Sequence, residues 1–256
     1  MSKGVRGVIL DMDGTLVDSN EAHAKSWVET LKHFGHDVTL EVVHPLIGQG
    51  SDKLLPRLAG IIKDSDIGRK MIAHRSALFE QQYLSAIQPF PASKELVMRM
   101  RDAGLKVVIA SSSRSNHLQH FIDTLGIGAL IDGSTSANDV EVSKPDPDVV
   151  AAALDKLGIA AADVVMIGDT PYDIEAAARV GVRTIALRCG GWDEAGLTGA
   201  IAVYADPEEM LSQFDASPLT GNSPPLKNGT RGRLPGTIAI FQCLPTGALL
   251  GFLSMD

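Results

Sequence analysis

From residue 92 to residue 203, segments with helical spacing alternate with short apolar runs that predict buried strands. Most of the helical segments end at a glycine, a common residue just after a helix C-terminus. Because parallel strands need crossover connections, this alternation predicts an α/β fold with helices on both faces of a parallel sheet. The predicted helices cover residues 92–103, 115–125, 147–157, 172–180 and 207–214, and the predicted strands cover residues 7–10, 106–110, 130–131, 164–167, 184–187 and 200–203.

The stretch from residue 21 to residue 88 interrupts this alternation, because only helical spacing is found there. Its predicted helices cover residues 21–34, 51–62 and 68–84. The composition changes again after residue 216, where residues 217–236 contain four prolines and four glycines. We therefore expect a core domain from residues 1–18 and 89–216, a small helical cap domain over residues 19–88, and a tail outside the domain over residues 217–256.

Composition limits the partners of the chain. It carries 23 Lys and Arg against 31 Asp and Glu, and this net charge of -8 disfavours nonspecific binding to nucleic acid or an anionic membrane. No apolar run reaches the roughly 18 residues that a spanning helix needs. The two cysteines, Cys189 and Cys243, are too few for a disulfide framework. We expect a cytoplasmic protein that is a monomer or weak dimer, with no nucleic-acid or membrane partner.

Polar residues follow several of the predicted strands. Asp11 and Asp13 follow the first strand, and residues 111–113 are three serines that follow the strand at 106–110. Asp169 and Asp173 follow the strand at 164–167. Ligands bind beyond the carboxyl ends of the strands in parallel α/β sheets, so these residues are expected to meet at one site. Lys144, in a loop before a helix, is expected to join them.

These residue types suit phosphoryl transfer. A carboxylate can attack phosphorus to form an acyl phosphate, and a second carboxylate two residues away can protonate the departing oxygen. Mg²⁺ prefers oxygen ligands and offsets the repulsion between a carboxylate and a phosphate dianion. Lys144 would place a fixed cation against the transferring oxygens, Ser111 and Thr15 would offer hydroxyls, and the backbone N–H near Ser112 would complete the cradle.

The ordered set resembles the four motifs of the haloacid dehalogenase superfamily of phosphatases. The resemblance covers roughly residues 5–214, and the helical stretch resembles the small cap of the phosphoglycolate phosphatase and beta-phosphoglucomutase subgroup. It implies a Rossmann-like core. The matching motifs are Asp11-Met12-Asp13-Gly14-Thr15, Ser111 after Val107-Val108-Ile109-Ala110, Lys144 in Ser143-Lys144-Pro145, and Gly168-Asp169-Thr170-Pro171-Tyr172-Asp173.

The resemblance also implies roles for single residues. Asp11 is expected to be the nucleophile and Asp13 the general acid and base. Asp11, the carbonyl of Asp13 and Asp169 are expected to bind Mg²⁺, with Asp173 supporting the metal through water. Another reading of Asp173 stays open, because an acidic residue in the first turn of a helix is favoured by the helix dipole alone.

Residues of the cap and its neighbouring loops are candidates for contact with substrate. His23 lies on the first predicted cap helix, and a purely structural polar role for it is equally open. Gly48 and Lys53 lie in a glycine-containing loop of the kind that selects substrate in this family, although exposed lysines are usually only solvated. Arg114 follows the serine cluster and is a candidate for binding a distal anionic group of the substrate.

Three functions compete. The leading one is a Mg²⁺-dependent phosphoric monoester hydrolase that acts on a small phosphorylated metabolite through an aspartyl-phosphate. A phosphosugar mutase of the beta-phosphoglucomutase type is the first alternative. Such enzymes resemble this chain but place an arginine in the cap loop, where it has Ser51. A non-catalytic binding module is the second, and the complete set of chemical residues argues against it.

Overall fold

A six-stranded parallel sheet organises the protein, as a computed structural model of residues 4–220 shows. The strand order is β3-β2-β1-β4-β5-β6. The chain moves outward from β1 in one direction and then returns to β1's other side, so the topological switch lies beside the first strand. The strands are β1 (Gly7–Leu10), β2 (Lys106–Ala110), β3 (Gly133–Thr135), β4 (Val164–Gly168), β5 (Arg183–Leu187) and β6 (Ala202–Tyr204).

Nine α-helices accompany the strands in the described part of the chain, with short 3₁₀ turns between some of them. Helices α5, α6 and α9 contribute apolar side chains to the core on one face of the sheet, and α7 and α8 contribute to the core on the other face. The helices are α1 (Asn20–His33), α2 (Leu40–Val43), α3 (Ser51–Ala59), α4 (Asp66–Gln82), α5 (Ser93–Asp102), α6 (Ser115–Leu125), α7 (Asp148–Leu157), α8 (Pro171–Arg179) and α9 (Pro207–Ser212).

Strand β1 lies at the centre of both cores. It pairs with β2 on one side and β4 on the other, and helices cover both of its faces. Val8 and Leu10 belong to one core, whereas Ile9 belongs to the core on the opposite face. This alternation follows from the two-residue period of a strand, and it explains why the whole strand is apolar. The sequence prediction of an α/β parallel sheet with helices on both faces is confirmed.

Helices α1–α4 form the helical insertion, which occupies residues 20–82 between β1 and β2. The insertion has an apolar cluster of its own, to which α1 contributes Trp27 and Leu31 and α4 contributes Met71. One side chain of α4 leaves this pattern: Phe79 is fully buried in the core of the sheet. The insertion is therefore anchored to the sheet by an apolar contact. Its status as a separate cap domain stays a prediction.

Two features differ from the sequence prediction. The strand predicted at 130–131 is wrong, because a 3₁₀ turn occupies Gly128–Leu130 and the edge strand begins at Gly133. This strand has the polar sequence Gly-Ser-Thr, so it lacks the apolar run on which the prediction relied. The tail also begins later than residue 217, since Leu219 is buried in the core. The rest of the predicted tail, 221–256, lies outside the described residues.

Within residues 4–220, no helix combines the length and the apolar character that crossing a bilayer requires.

The central position of β1 predicts a large effect from shortening one of its core side chains. Changing Ile9, which is fully buried, to alanine should lower the free energy of unfolding by about 2–5 kcal/mol, because a cavity remains between the sheet and its helices. Ile62→Ala is the matched control, since Ile62 is 71% exposed, and it should change stability by less than about 0.5 kcal/mol. Chemical denaturation of both variants checks this, and equal effects would contradict the placement of β1.

Candidate active site

Two aspartates stand at the carboxyl ends of neighbouring strands. Asp11 follows β1, and Asp169 follows β4. The backbone N–H of Asp11 donates to the carbonyl of Ile167 at 2.9 Å, which continues the contact between the two strands up to the aspartate. The hydroxyl of Thr15 lies 3.1 Å from Asp11 Oδ2 and 3.1 Å from Asp169 Oδ1. The sheet thus brings two carboxylates to one buried hydroxyl.

A buried lysine joins this pair from the loop before α7. The Nζ atom of Lys144 lies 2.5 Å from Asp11 Oδ1 and 2.7 Å from Asp173 Oδ1, and it donates to the carbonyl of Ala110 at 3.0 Å. Burial disfavours the ammonium, yet the two carboxylates outweigh burial and raise the pKa of Lys144 above its usual value. Lys144 is therefore a buried cation beside Asp11 and Asp173, and its expected role against the transferring oxygens stays a prediction.

Asp173 has two roles, one for each carboxylate oxygen. Oδ2 accepts hydrogen bonds from the hydroxyl of Thr170 at 2.7 Å and from its backbone N–H at 3.1 Å. The hydroxyl of Thr170 accepts in turn from the backbone N–H of Asp173, which completes a capping box at the start of α8. Oδ1 faces Lys144. Asp173 is thus a first-turn residue of α8 that also contacts Lys144, and its expected support of the metal through water stays a prediction.

Three buried carboxylates form a group with the chemistry of a metal site. One oxygen each from Asp11, Asp169 and Asp173 lies within 4.8 Å of the others. Burial raises the pKa of Asp11 to about 7, with Lys144 opposing the rise and Asp173 adding to it. Burial and the two neighbouring carboxylates likewise raise the pKa of Asp169 well above its usual value. A divalent cation would relieve this repulsion, and its preferred ligands are oxygens, so the donor set fits Mg²⁺.

Asn20 fixes Asp169 from the first turn of α1. Its Nδ2 atom donates to Asp169 Oδ2 at 2.8 Å and to the carbonyl of Gly190 at 3.0 Å. Gly190 itself leaves room for the carboxylate, because a Cβ atom there would lie 1.7 Å from Asp169 Oδ2. Neither residue stands out in the sequence, since an asparagine at a helix start and a glycine in a loop have ordinary structural explanations.

The carboxylate of Asp13 points away from the acidic group, toward hydroxyls and an imidazole. Its Oδ1 atom lies 2.8 Å from the Ser19 hydroxyl and 2.7 Å from His23 Nε2. Its Oδ2 atom accepts from Ser111 at 3.1 Å and Ser113 at 2.7 Å. Burial opposes ionisation, but His23 and the hydroxyls hold the pKa of Asp13 well below its usual range. Asp13, which was expected to bind the metal through its carbonyl, contributes no carboxylate oxygen to the group of three.

The partners of His23 fix its tautomer. Arg75 Nη2 lies 2.5 Å from His23 Nδ1, and Arg75 Nε donates to the hydroxyl of Ser26 at 3.1 Å. Since a guanidinium only donates, Nδ1 must accept, and the ring proton of the neutral form is on Nε2, which donates to Asp13. Burial lowers the pKa of His23, which favours this neutral form. The ring stacks on Phe79 at 4.4 Å between centroids. His23 thus orients Asp13.

Many of the residues expected at the site line one cavity of about 290 Å³. Gly48, from the cap loop, and Ser112, whose Oγ is buried without a hydrogen-bond partner among the described residues, both lie on its wall. Thr15 and Ser111 were expected to bind substrate, but their hydroxyls hold the carboxylates instead. The expected residues on the wall are Asp11, Asp13, His23, Gly48, Ser112 and Arg114.

Lys53 was expected to contact substrate, and the structure places it elsewhere. Its Nζ atom lies 2.5 Å from Asp146 Oδ2, and Lys53 is not part of the cavity wall. Arg179 pairs with the other oxygen of Asp146 at 2.7 Å. The ammonium of Lys53 therefore ties the insertion to the loop that carries Lys144. The sequence did not indicate this pairing, because the two partners are 93 residues apart.

Comparison with known proteins assigns the chain to a family. A model of the haloacid dehalogenase-like hydrolase family matches residues 8–187, which include all the carboxylates described above. The chain belongs to this family. Haloacid dehalogenase-like relatives with curated names include phosphoglycolate phosphatase of Yersinia pseudotuberculosis, 30% identical over 86% of this chain and 94% of the relative. Pyrophosphatase PpaX of Bacillus velezensis is 28% identical over 86% of this chain and 98% of the relative.

The fold is that of the family as well. A hydrolase from Pseudomonas syringae has a crystal structure that superposes with a TM-score of 0.75 and 28% identity, over 82% of this chain and 98% of that chain. The membership and the phosphatase names of the relatives show that the chain is a phosphoric monoester hydrolase of the haloacid dehalogenase family.

The acidic group predicts stabilisation by a divalent cation. Thermal unfolding should shift to higher temperature as Mg²⁺ is added, by an amount equivalent to about 2.7 kcal/mol at a hundred times the Kd. Asp169→Asn should abolish the shift and should stabilise the metal-free protein, because it removes one of the buried like charges. Asp215→Asn, at an exposed position, should keep the full shift. A shift of equal size in the Asp169 variant would contradict the proposed ligand set.

Proposed function

We propose that the protein is a Mg²⁺-dependent phosphatase that hydrolyses a small phosphorylated metabolite through an aspartyl-phosphate on Asp11. The observation that supports this most directly is the position of Asp11. Its carboxylate is paired with the buried Lys144. Asp11 and Asp13 both line the cavity. A nucleophile and an acid–base group thus line one cavity, and a fixed cation is buried beside the nucleophile.

The first step we assign to Asp11. A carboxylate oxygen attacks the phosphorus atom of the substrate, a new P–O bond forms, and the bond from phosphorus to the leaving oxygen breaks. Asp13 is ionised in the free site, so it first takes up a proton as the anionic phosphate binds beside it, and it then gives this proton to the leaving oxygen, so that an alcohol departs. Lys144 and the hydroxyl of Ser112, which has no hydrogen-bond partner within residues 4–220, would hold the phosphoryl oxygens as charge develops on them.

The second step returns the enzyme to its starting state. Asp13, now ionised, takes a proton from a water molecule, and the resulting hydroxide oxygen attacks phosphorus. The bond to Asp11 breaks, which releases inorganic phosphate and restores the Asp11 carboxylate. The hydrogen bonds of Asp13 with His23 and the serine hydroxyls favour its ionised form and hold it for this role.

Asp11, Asp169 and Asp173 would hold the Mg²⁺ ion, which supplies positive charge to neutralise the attacking carboxylate and the phosphate.

The assignment predicts the behaviour of one variant pair. The protein should release p-nitrophenol from p-nitrophenyl phosphate when Mg²⁺ is present, and chelation should stop the reaction. Asp11→Asn should lower kcat by at least about a thousandfold, because an amide is a poor nucleophile toward phosphorus. Asp18→Asn is the matched control, since Asp18 is exposed, and its turnover should stay at the wild-type level. Undiminished turnover by the Asp11 variant would contradict the proposal.

The mutase alternative is decided by the products. A phosphatase releases inorganic phosphate from a sugar phosphate in step with its consumption, because water accepts the phosphoryl group. A mutase interconverts the isomers with little net phosphate. Assaying free phosphate and sugar-phosphate isomers together on a panel of substrates separates the two, and isomerisation without phosphate release would favour the mutase.

A further inference from the structure

The cavity wall carries two guanidinium groups that have no acidic partner in the described part of the chain. Arg75 belongs to α4 of the insertion, and Arg114 precedes α6 of the sheet domain. No Asp or Glu oxygen of residues 4–220 lies within 4.0 Å of either group. Two segments of the chain that are far apart in sequence therefore present unpaired cations to one small volume.

Arg75 is held firmly and still has donors to spare. Of its five N–H groups, one bonds to Ser26 and one to His23, which leaves three without an assigned partner. Its guanidinium carbon lies 5.1 Å from the ring centroid of Trp27 and 5.0 Å from that of Phe79. These contacts fix the plane of the group without neutralising it. A fixed, partly unsatisfied guanidinium is suited to binding an oxyanion.

Arg114 adds a second cation close to the first. Burial lowers the pKa of Arg75 to about 10, Asp13 opposes this, and the charge of Arg114 adds to the lowering. No side-chain hydrogen bond of Arg114 is formed within the described residues, so all five of its donors are open. Two neighbouring like charges repel each other, and an anion bound between them would offset this repulsion by attracting both guanidinium groups.

Two further acids on the cavity wall, Asp52 and Glu141, do not supply that anion. Asp52 accepts from the backbone N–H of Ser143 at 3.2 Å and lies 3.9 Å from Lys53. Glu141 also lies on the wall, and it is not paired with either arginine. Asp13 acts on Arg75 only across His23, and no acid within residues 4–220 bonds to the open N–H groups of either arginine, so these groups are left for an anion of the ligand.

We propose that Arg75 and Arg114 bind a second anionic group of the substrate, so that the preferred substrates are phosphates with a carboxylate or another phosphate close by. This inference rests on the proposed function, because it takes the end of the cavity at Asp11 to bind the transferred phosphoryl group. The volume of about 290 Å³ suits a small compound that carries both groups.

Binding to the Asp11→Asn variant in the presence of Mg²⁺ tests the inference without requiring turnover. Calorimetry would compare 2-phosphoglycolate with ethyl phosphate, which has a methyl group in place of the carboxylate. It would also compare pyrophosphate with methyl phosphate, which lacks the second phosphate. At least one doubly anionic probe should bind about tenfold or more tightly than its partner, because hydrogen bonds to charged groups contribute about 1.5–3 kcal/mol. The pair that discriminates identifies the second group as carboxylate or phosphate.

Variants show whether the arginines cause the preference. Adding Arg114→Gln should bring the ratio of affinities toward one, whereas adding Arg183→Gln, which changes an exposed arginine at the start of β5, should leave the ratio unchanged. Equal affinities within both pairs, no measurable binding of any probe, or a ratio that Arg114→Gln does not alter would overturn the inference. Hydrolysis by the wild type is measured separately. Selective binding without any hydrolysis would overturn the proposed function alone, and hydrolysis without selectivity would overturn this inference alone.

Discussion

The buried ammonium of Lys144, held between Asp11 and Asp173, is the interaction on which the site depends. It lies at the switch point of the sheet, where the ends of β1, β2 and β4 meet. Removing charges from water costs several kcal/mol for each ion, so such a group persists only where its charges are balanced. With Asp169, the group holds three carboxylates and one ammonium. The remaining negative charge is what makes the site suited to a divalent cation.

The second carboxylate of the loop after β1 is kept separate from this group by its own partners. Asp13 is bound by His23 from the insertion and by serine hydroxyls from the loop after β2, so its protonation is governed by neighbours different from those of Asp11. The insertion also bonds to the loop that carries Lys144, through the backbone N–H of Gly50, which donates to Ser143 Oγ at 2.8 Å. The insertion therefore helps to position both the acid–base group and the fixed cation.

Much of the site could be predicted from the sequence, because its carboxylates lie directly after the apolar runs that form the strands. Asp11 and Asp169 follow apolar runs directly, and the sheet topology then brings them together. Contacts that depend on distant partners were not predictable. Lys53 resembles a free loop lysine until Asp146 is seen beside it, and the role of Asn20 appears only when Asp169 is seen within 2.8 Å. The edge strand β3 was misplaced for a similar reason, since its pairing with β2 depends on backbone hydrogen bonds rather than on apolar side chains.

Chemical trapping tests most directly whether Asp11 is the residue that becomes phosphorylated. The wild-type protein would be mixed with Mg²⁺ and an aryl phosphate, quenched rapidly during turnover, and reduced with borohydride, which converts an acyl phosphate to an alcohol. Peptide mass spectrometry then locates the reduced residue. We expect homoserine at position 11 and unmodified aspartate at positions 13, 169 and 173. Reduction at another aspartate, or continued turnover with no trapped residue, would contradict this expectation.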